Sequence, residues 1–89
     1  MYYDIQSAEY CGGYKIKLTF ADGKNGMVDF KKYIREGTVF EKFRNINFFK
    51  EFYINKDLYV LCWPGEIDIA PETLYAEATN TPLPQWVHI

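Results

Sequence analysis

The sequence predicts an α+β domain in which short helices pack on a small antiparallel β-sheet. The sheet is expected to combine an N-terminal meander with a C-terminal pair of strands. Apolar and polar residues alternate over residues 14–20, as in a strand with one buried face. Glycine-containing turn signals lie on both sides of that segment. Residues 58–75 then have the pattern of a buried strand, a tight turn, a second strand and the start of a helix.

The first two strands of the meander are predicted from local signals. Residues 3–10 form a weakly patterned first strand, and the Gly-Gly pair at residues 12–13 suits a hairpin turn because both positions can take φ > 0. In the second strand the apolar residues are Tyr14, Ile16, Leu18 and Phe20, and the polar ones between them are Lys15, Lys17 and Thr19. One face of this strand is therefore expected in the core and the other in water.

The third strand of the meander is expected to end at residues 27–30. The Asp-Gly pair at residues 22–23 predicts the hairpin that leads into it. The Asn-Gly pair at residues 25–26 offers a competing turn, because both dipeptides accept positive φ angles. Three antiparallel strands in a meander are the simplest arrangement for this third of the chain.

Short helices are predicted in the middle of the chain. Residues 31–36 fit a helical turn closed by Gly37, which can take the left-handed conformation of a C-cap. Thr38 and Glu41 have the spacing of a capping box, in which the hydroxyl and the carboxylate satisfy amides at a helix start. One face of this helix would carry Val39, Phe40 and Phe43.

A further short helix is expected after Asn45 or Asn47, either of which can serve as its N-cap. Its apolar side chains would be those of Phe48, Phe49 and Phe52. We interpret these phenylalanines as core residues rather than as a ligand cage, since their spacing is what a helix packed on a sheet requires.

The predicted fold is organised around the segment that follows. Residues 53–55 are extended, and a turn at residues 56–57 leads into a strand over residues 58–63. One face of that strand would carry Leu58, Val60 and Cys62, and the other Tyr59, Leu61 and Trp63. Because both faces are apolar, we expect a strand that is covered on both sides.

A tight turn and a helix complete the segment. Pro64 and Gly65 stand at the two central positions of a type II turn, where proline presets φ and glycine supplies φ > 0. Apolar and acidic residues alternate just after the turn, and Pro71 suits the first turn of a helix. This helix would fade near Asn80, and its apolar stripe consists of Leu74, Tyr75 and Ala78.

Length and composition indicate one domain over residues 1–80 and a C-terminal tail over residues 81–89. Of the 89 residues, 19% are aromatic, so large rings are expected to build the core of a short chain. The sequence contains neither a signal peptide nor an apolar run long enough to span a bilayer, so we expect a cytoplasmic protein without membrane contact. In that reducing compartment Cys11 and Cys62 are expected to remain unpaired thiols.

Charge is distributed unevenly along the chain. Residues 1–56 contain all ten Lys and Arg and seven acids, a net charge of +3, whereas residues 57–89 contain five acids and neither Lys nor Arg, a net charge of −5. The basic middle consists of Lys31, Lys32, Arg35, Lys42, Arg44 and Lys50, with aromatic residues interleaved. Acidic residues interrupt this patch and the whole chain is acidic, so direct binding of nucleic acid is not expected.

Four motifs resemble those of a bacterial family, the domain-of-unknown-function family 2442. They are VDF at residues 28–30, GTVFEKF at residues 37–43, NFF at residues 47–49 and WPGEIDIAPETLY at residues 63–75. The resemblance implies a small α+β domain with an antiparallel sheet. Family members occur alone or joined to a helix-turn-helix, and single-domain members often stand beside small partner proteins in a toxin–antitoxin arrangement. The family implies no catalytic residues.

The acidic cluster of Glu66, Asp68 and Glu72 is the one group of residues that invites a chemical interpretation. It would act as a cation site or an acid/base pair. Alternatively, Asp68 caps the following helix in place of Ala70, and Glu72 interacts favourably with the helix dipole. We favour the second interpretation. The sequence therefore assigns no catalytic, cofactor-binding or metal-binding residues, and we expect a protein that is not an enzyme.

The tail keeps an unusual amount of apolar surface, in Trp86, Val87 and Ile89. These residues follow two helix-breaking prolines, so they either fold back on the domain or dock on another chain. The sequence thus predicts a regulatory, antitoxin-like interaction module that binds a protein partner or itself. The alternative is a small-molecule or nucleotide-handling protein with a pocket near Trp63 and the acidic cluster.

Overall fold

The computed structural model describes residues 3–80 and begins with a three-stranded antiparallel meander. Its strands are β1 (Ile5–Tyr10), β2 (Lys15–Phe20) and β3 (Asn25–Asp29), hydrogen-bonded in the order β1-β2-β3. The core-facing side chains of β2 are fully buried, and these are Ile16, Leu18 and Phe20. The predicted meander is confirmed, with a first strand that begins two residues later than expected.

Both hairpins of the meander use the predicted glycines. The two glycines at residues 12–13 have φ angles of 97° and 55°. In the second hairpin the amide of Phe20 donates to the carbonyl of Lys24 at 2.9 Å, and Gly23 has a φ of 87°. The Asp-Gly pair therefore forms the turn, and the competing Asn-Gly pair at residues 25–26 lies inside β3.

Three short helices connect this sheet to the next one. They are two 3₁₀ helices, Phe30–Tyr33 and Val39–Arg44, and the α-helix α1 (Ile46–Phe49). The side chain of Asn45 accepts hydrogen bonds from two amides of α1, at 3.0 and 3.4 Å. Of the two predicted N-caps, the structure therefore selects Asn45 over Asn47.

The capping box at the start of the second 3₁₀ helix is only half formed. Thr38 makes no side-chain cap, and its hydroxyl instead donates to a carbonyl three residues earlier at 2.8 Å. The carboxylate of Glu41 does reach back, but it accepts from the amide of Gly37 at 2.9 Å. The prediction for Thr38 is therefore wrong, because the Thr38 hydroxyl donates to the carbonyl of Arg35 in the preceding turn and does not accept from an amide of the helix.

The sequence predicted Val39 on the buried face of this helix, and this prediction is wrong. It is 57% exposed, whereas Phe43 is fully buried and Phe40 packs against the core. In a 3₁₀ helix residues three apart lie on one face, which aligns the two phenylalanines and turns Val39 away from them.

The second sheet contains three antiparallel strands in the order β4-β5-β6. They are β4 (Tyr53–Asn55), β5 (Val60–Trp63) and β6 (Ile67–Asp68). The predicted C-terminal strand pair is confirmed as β5 and β6. The extended segment at residues 53–55 adds β4 to one side of it.

The strand predicted to begin at residue 58 begins at Val60. The loop of the β4–β5 hairpin lies between Asn55 and Val60, and it leaves Leu58 64% and Tyr59 44% exposed. The prediction that these two residues belong to a covered strand is therefore wrong, because the apolar run continues into the turn. Further along the strand it is correct, since the three residues from Leu61 to Trp63 are buried on both faces.

The turn between β5 and β6 matches its prediction at Gly65. Gly65 has a φ of 89°, and Glu66 follows with a φ of 62°. A Cβ placed on Gly65 would meet only the end of the flexible Lys42 side chain, at 4.0 Å. Backbone conformation, not lack of space, is therefore what favours glycine here.

We expect Gly65→Val to lower the free energy of unfolding by about 1 kcal/mol or more, because a β-branched residue is strained at this φ. Gly65→Asn is the matched control, since asparagine tolerates the left-handed region, and it should cost less than half as much. Urea denaturation followed by circular dichroism measures both. Equal stability of the valine variant and the wild type would show that the turn does not constrain φ at this position.

The C-terminal helix α2 (Pro71–Thr79) is confirmed. Its apolar stripe packs on the core, with Leu74 fully buried and Tyr75 and Ala78 partly buried. Asn80 ends the helix in the left-handed conformation, with a φ of 55°. The predicted Asp68 cap is wrong, because none of the side chains in residues 3–80 caps this helix and its N-cap position is held by an alanine.

A single cluster of buried residues joins both sheets and all the helices of the described region. Its centre is aromatic: the ring centroid of Trp63 lies 4.5 Å from that of Phe43, 5.6 Å from Phe30 and 5.9 Å from Phe49. The predicted tail at residues 81–89 lies outside the described residues, so the boundary at residue 80 remains a prediction.

Candidate interaction surface

The β4–β5 hairpin presents three large side chains to solvent. Tyr53 is 48% exposed, Leu58 64% and Tyr59 44%. We call these three residues the hairpin surface. All three lie on this hairpin, within a stretch of seven residues.

One side chain accepts hydrogen bonds that hold the loop of this hairpin. The Oδ1 atom of Asn55 accepts from the amides of Asp57 at 2.9 Å and Leu58 at 3.3 Å. The carbonyl of Asn55 accepts from the amide of Tyr59 at 2.6 Å, and the carbonyl of Tyr59 accepts from the amide of Ile5 in β1 at 2.9 Å. The loop is therefore fixed both internally and to the first sheet.

Tyr59 adopts a backbone conformation that is unfavourable for its residue type. Its φ is 54°, in the left-handed region that glycine and asparagine enter most easily. A bulky residue there costs on the order of 1–3 kcal/mol. Glycine or asparagine would occupy this φ at a lower conformational cost.

The three residues of the acidic cluster lie in the β5–β6 turn, in β6 and in the first turn of α2. Glu66 and Asp68 are exposed, and Glu72 is partly exposed. Among residues 3–80, no group of three or more His, Cys, Asp or Glu side chains is placed to hold a metal ion.

The two cysteines have different environments. Cys62 is buried and stands opposite Asp68 in the β5–β6 pair, whereas Cys11 is exposed, and neither forms a disulfide. Burial raises the pKa of the Cys62 thiol, and the nearby Asp68 carboxylate raises it further. Cys62 is therefore held as a neutral thiol in the core.

Trp63 offers no surface to a ligand. Its side chain is fully buried, and its indole Nε1–H donates to the carbonyl of Phe49 at 2.8 Å. The indole is therefore a core group whose polar atom already has a partner, and a pocket near Trp63 and the acidic cluster stays a prediction.

Several side chains of the basic middle lie against aromatic rings or acids. The Nζ atom of Lys42 is 6.0 Å from the ring centroid of Phe48, and that of Lys50 is 5.1 Å from the ring of Tyr10. Lys32 forms an ion pair with Glu77 at 2.9 Å. Part of this positive charge is therefore used within the domain.

The predicted contact residues Trp86, Val87 and Ile89 lie outside the described residues. The hairpin surface was missed from the sequence, because its apolar residues continued the pattern of a buried strand. Asn55 and Asp57 carried the missing signal, since an asparagine two residues before the loop tip is typical of a side-chain-stabilised turn.

Comparisons with known proteins identify the family. The family model described as a protein of unknown function (DUF2442) matches residues 5–80, so the chain belongs to this family, as its motifs predicted. Neither the curated proteins nor the solved structures gave a significant match. Within residues 3–80, none of the helices is long and apolar enough to cross a membrane.

Proposed function

We propose that this DUF2442 protein is a non-enzymatic, cytoplasmic interaction module, the antitoxin-like or regulatory member of a bacterial gene pair. The observation that carries the proposal is the conformation of Tyr59, which keeps an exposed aromatic ring at a position of positive φ. Strained residues that the surrounding structure maintains are concentrated at binding and catalytic sites.

The composition of the hairpin surface supports binding to another protein. Tyrosine is among the residues that contribute most to binding energy at interfaces. Two of the three residues of the hairpin surface are tyrosines, and Leu58 between them is the most exposed large apolar residue of the described chain. A partner with a concave apolar surface would bury all three.

The rigidity of the loop lowers the cost of that binding. Hydrogen bonds from four amides fix the backbone around Leu58, and two of these amides donate to the side chain of Asn55. A loop that is already ordered loses less conformational entropy on association. The uneven charge of the chain would orient the encounter, and occlusion of the partner's working surface would be the mechanism of regulation.

The test uses full-length chains that carry Leu58→Ser and Tyr59→Asn together. We expect this double variant to lose the partner that co-purifies with the wild type from its native host, or to lose self-association in light scattering. Its melting temperature should not fall, because asparagine relieves the strain at residue 59 by about 1 kcal/mol. Val39→Ser is the matched control, since Val39 is a comparably exposed apolar residue outside the hairpin.

Two results would contradict the proposal. One is a double variant that binds the partner as tightly as the wild type does. The other is equal loss of binding in the Val39→Ser control. The antitoxin-like role needs a further measurement, namely whether the wild type but not the double variant relieves growth inhibition by the identified partner. Trp86→Ser in the same assays tests the tail as a second contact.

A further inference from the structure

A groove lies between α2 and the segment that contains the two 3₁₀ helices, and the interaction role does not use it. Its volume is about 490 Å³, within the range of small-molecule sites. It is lined by Lys32, Tyr33, Arg35, Thr38, Phe40, Thr73 and Glu77. We call it the α2 groove. The lining combines two aromatic rings with a few polar groups, which is the usual composition of a ligand site.

The aromatic part of the α2 groove is held in place by packing. The rings of Tyr33 and Phe40 have centroids 5.9 Å apart and an interplanar angle of 58°. Phe40 in turn packs 5.5 Å from the buried Phe43, and Tyr33 packs 5.7 Å from the buried Phe30. These rings form a fixed apolar wall, which suits the face or edge of another ring.

The acidic group of the groove already has partners. The Oε1 atom of Glu77 accepts from the hydroxyl of Tyr33 at 2.5 Å, and its Oε2 atom lies 2.9 Å from the Nζ atom of Lys32. That ammonium group is close enough for an ion pair, although it is not aligned as a hydrogen-bond donor to Oε2. The charge of Glu77 is therefore balanced by Lys32.

Arg35 leaves the groove with an excess positive charge. Its carbonyl accepts from the amide and the hydroxyl of Thr38, at 3.3 and 2.8 Å, which fixes its backbone. Within residues 3–80 its guanidinium forms no ion pair. Thr73 lines the opposite wall, and its hydroxyl likewise makes no hydrogen bond to the described part of the chain. Both groups are donors available to an anion.

We propose that the α2 groove binds a small aromatic carboxylate. Its ring packs on Tyr33 and Phe40, and its carboxylate accepts hydrogen bonds from the guanidinium of Arg35 and the hydroxyl of Thr73. The tail of this chain is the competing occupant. It supplies an indole at Trp86, and the Trp86→Ser variant distinguishes it from a separate ligand.

The test compares two probes on the full-length protein: indole-3-acetate and its neutral amide, indole-3-acetamide. Each is titrated into ¹⁵N-labelled protein, and amide shifts are followed by NMR. We expect saturable shifts for the carboxylate at residues 32–40 and 73–77, with a dissociation constant at or below about 1 mM, as is usual for a fragment of this size. The amide should bind about three- to tenfold more weakly, the effect of losing one charge-assisted contact.

A charge variant then assigns the contact. Arg35→Gln should weaken the binding of indole-3-acetate by the same three- to tenfold and leave the affinity for indole-3-acetamide unchanged. Arg44→Gln is the matched control, an exposed arginine of the same basic segment that does not line the groove. It should change neither affinity.

Four outcomes would overturn the proposal. They are absence of saturable shifts, shifts confined to other residues, equal affinity for the two probes, and equal effects of the Arg35 and Arg44 substitutions. If the tail occupies the groove, the wild type should show no saturable shifts and Trp86→Ser should bind the carboxylate probe. That pair of results would assign the groove to Trp86. Leu58 and Tyr59 do not line the groove, so their substitution should not change this experiment. The ligand site and the interaction role are therefore tested independently.

Discussion

Gly26→Ala is expected to lower the free energy of unfolding by about 3 kcal/mol, at the upper end of the cost of overpacking. A Cβ at Gly26 would overlap the carbonyl oxygen of Ala78 and come within 2.6 Å of its carbonyl carbon. These are backbone atoms of α2, so no side-chain rotation relieves the overlap. The helix must move away from β3, and its buried stripe around Leu74 moves with it.

Thermal unfolding followed by circular dichroism measures this effect. A loss of 3 kcal/mol lowers the melting temperature of a domain of this size by on the order of 15 °C. Gly37→Ala is the control, because Gly37 has a φ of 84° and open space around its Cβ position. It should cost only the backbone strain of about 1 kcal/mol. If Gly26→Ala costs no more than Gly37→Ala, the close approach of α2 to β3 is wrong.

The same glycine shows where inference from sequence reached its limit. Asn25-Gly26 has the composition of a hairpin turn, and the sequence therefore offered it as a rival to Asp22-Gly23. The reason for a glycine at this position is tertiary, since Gly26 meets a helix residue 52 positions later in the chain. Turn signals are local and were predictable, whereas a close approach between distant segments produces no pattern in the sequence around either segment.

The errors in the elements have equally specific causes. Leu58 and Tyr59 continued the apolar pattern of β5, so the sequence placed a surface loop in a buried strand. Val39 was placed on the inner face because the helix was assumed to have 3.6 residues per turn, and the structure contains a 3₁₀ helix instead. In contrast, strand β2 and helix α2 were predicted correctly, because each carries a regular pattern with a turn or proline signal at its start.

The candidate sites were less predictable than the fold. Prediction of the hairpin surface required the start of β5 to be placed correctly, and the sequence placed it two residues too early. The α2 groove brings Tyr33 and Arg35 together with Glu77, which lies more than forty positions later in the chain. Side chains from separate elements form a site only through the packing of those elements, and a single sequence does not specify that packing.

Trp63→Ala is expected to cost about 5 kcal/mol, comparable to the whole stability of a small domain. Two losses contribute. The first is the cavity left among Phe30, Phe43 and Phe49, whose rings surround the fully buried indole. The second is the carbonyl of Phe49, which accepts the Trp63 Nε1–H at 2.8 Å and would be left without that donor. A buried polar group that loses its partner costs about 1–3 kcal/mol.

Trp63→Phe separates these two losses and provides a measurable value if the alanine variant does not fold. Phenylalanine retains a ring in the aromatic cluster but supplies no donor, so we expect a loss of about 1–3 kcal/mol. Urea denaturation followed by circular dichroism at 222 nm is the appropriate measurement, because both variants remove a tryptophan and thus a fluorescence signal. If Trp63→Ala cost less than about 2 kcal/mol, below the range for deleting a large buried side chain, Trp63 would lie at a surface. A ligand pocket beside it would then have to be reconsidered.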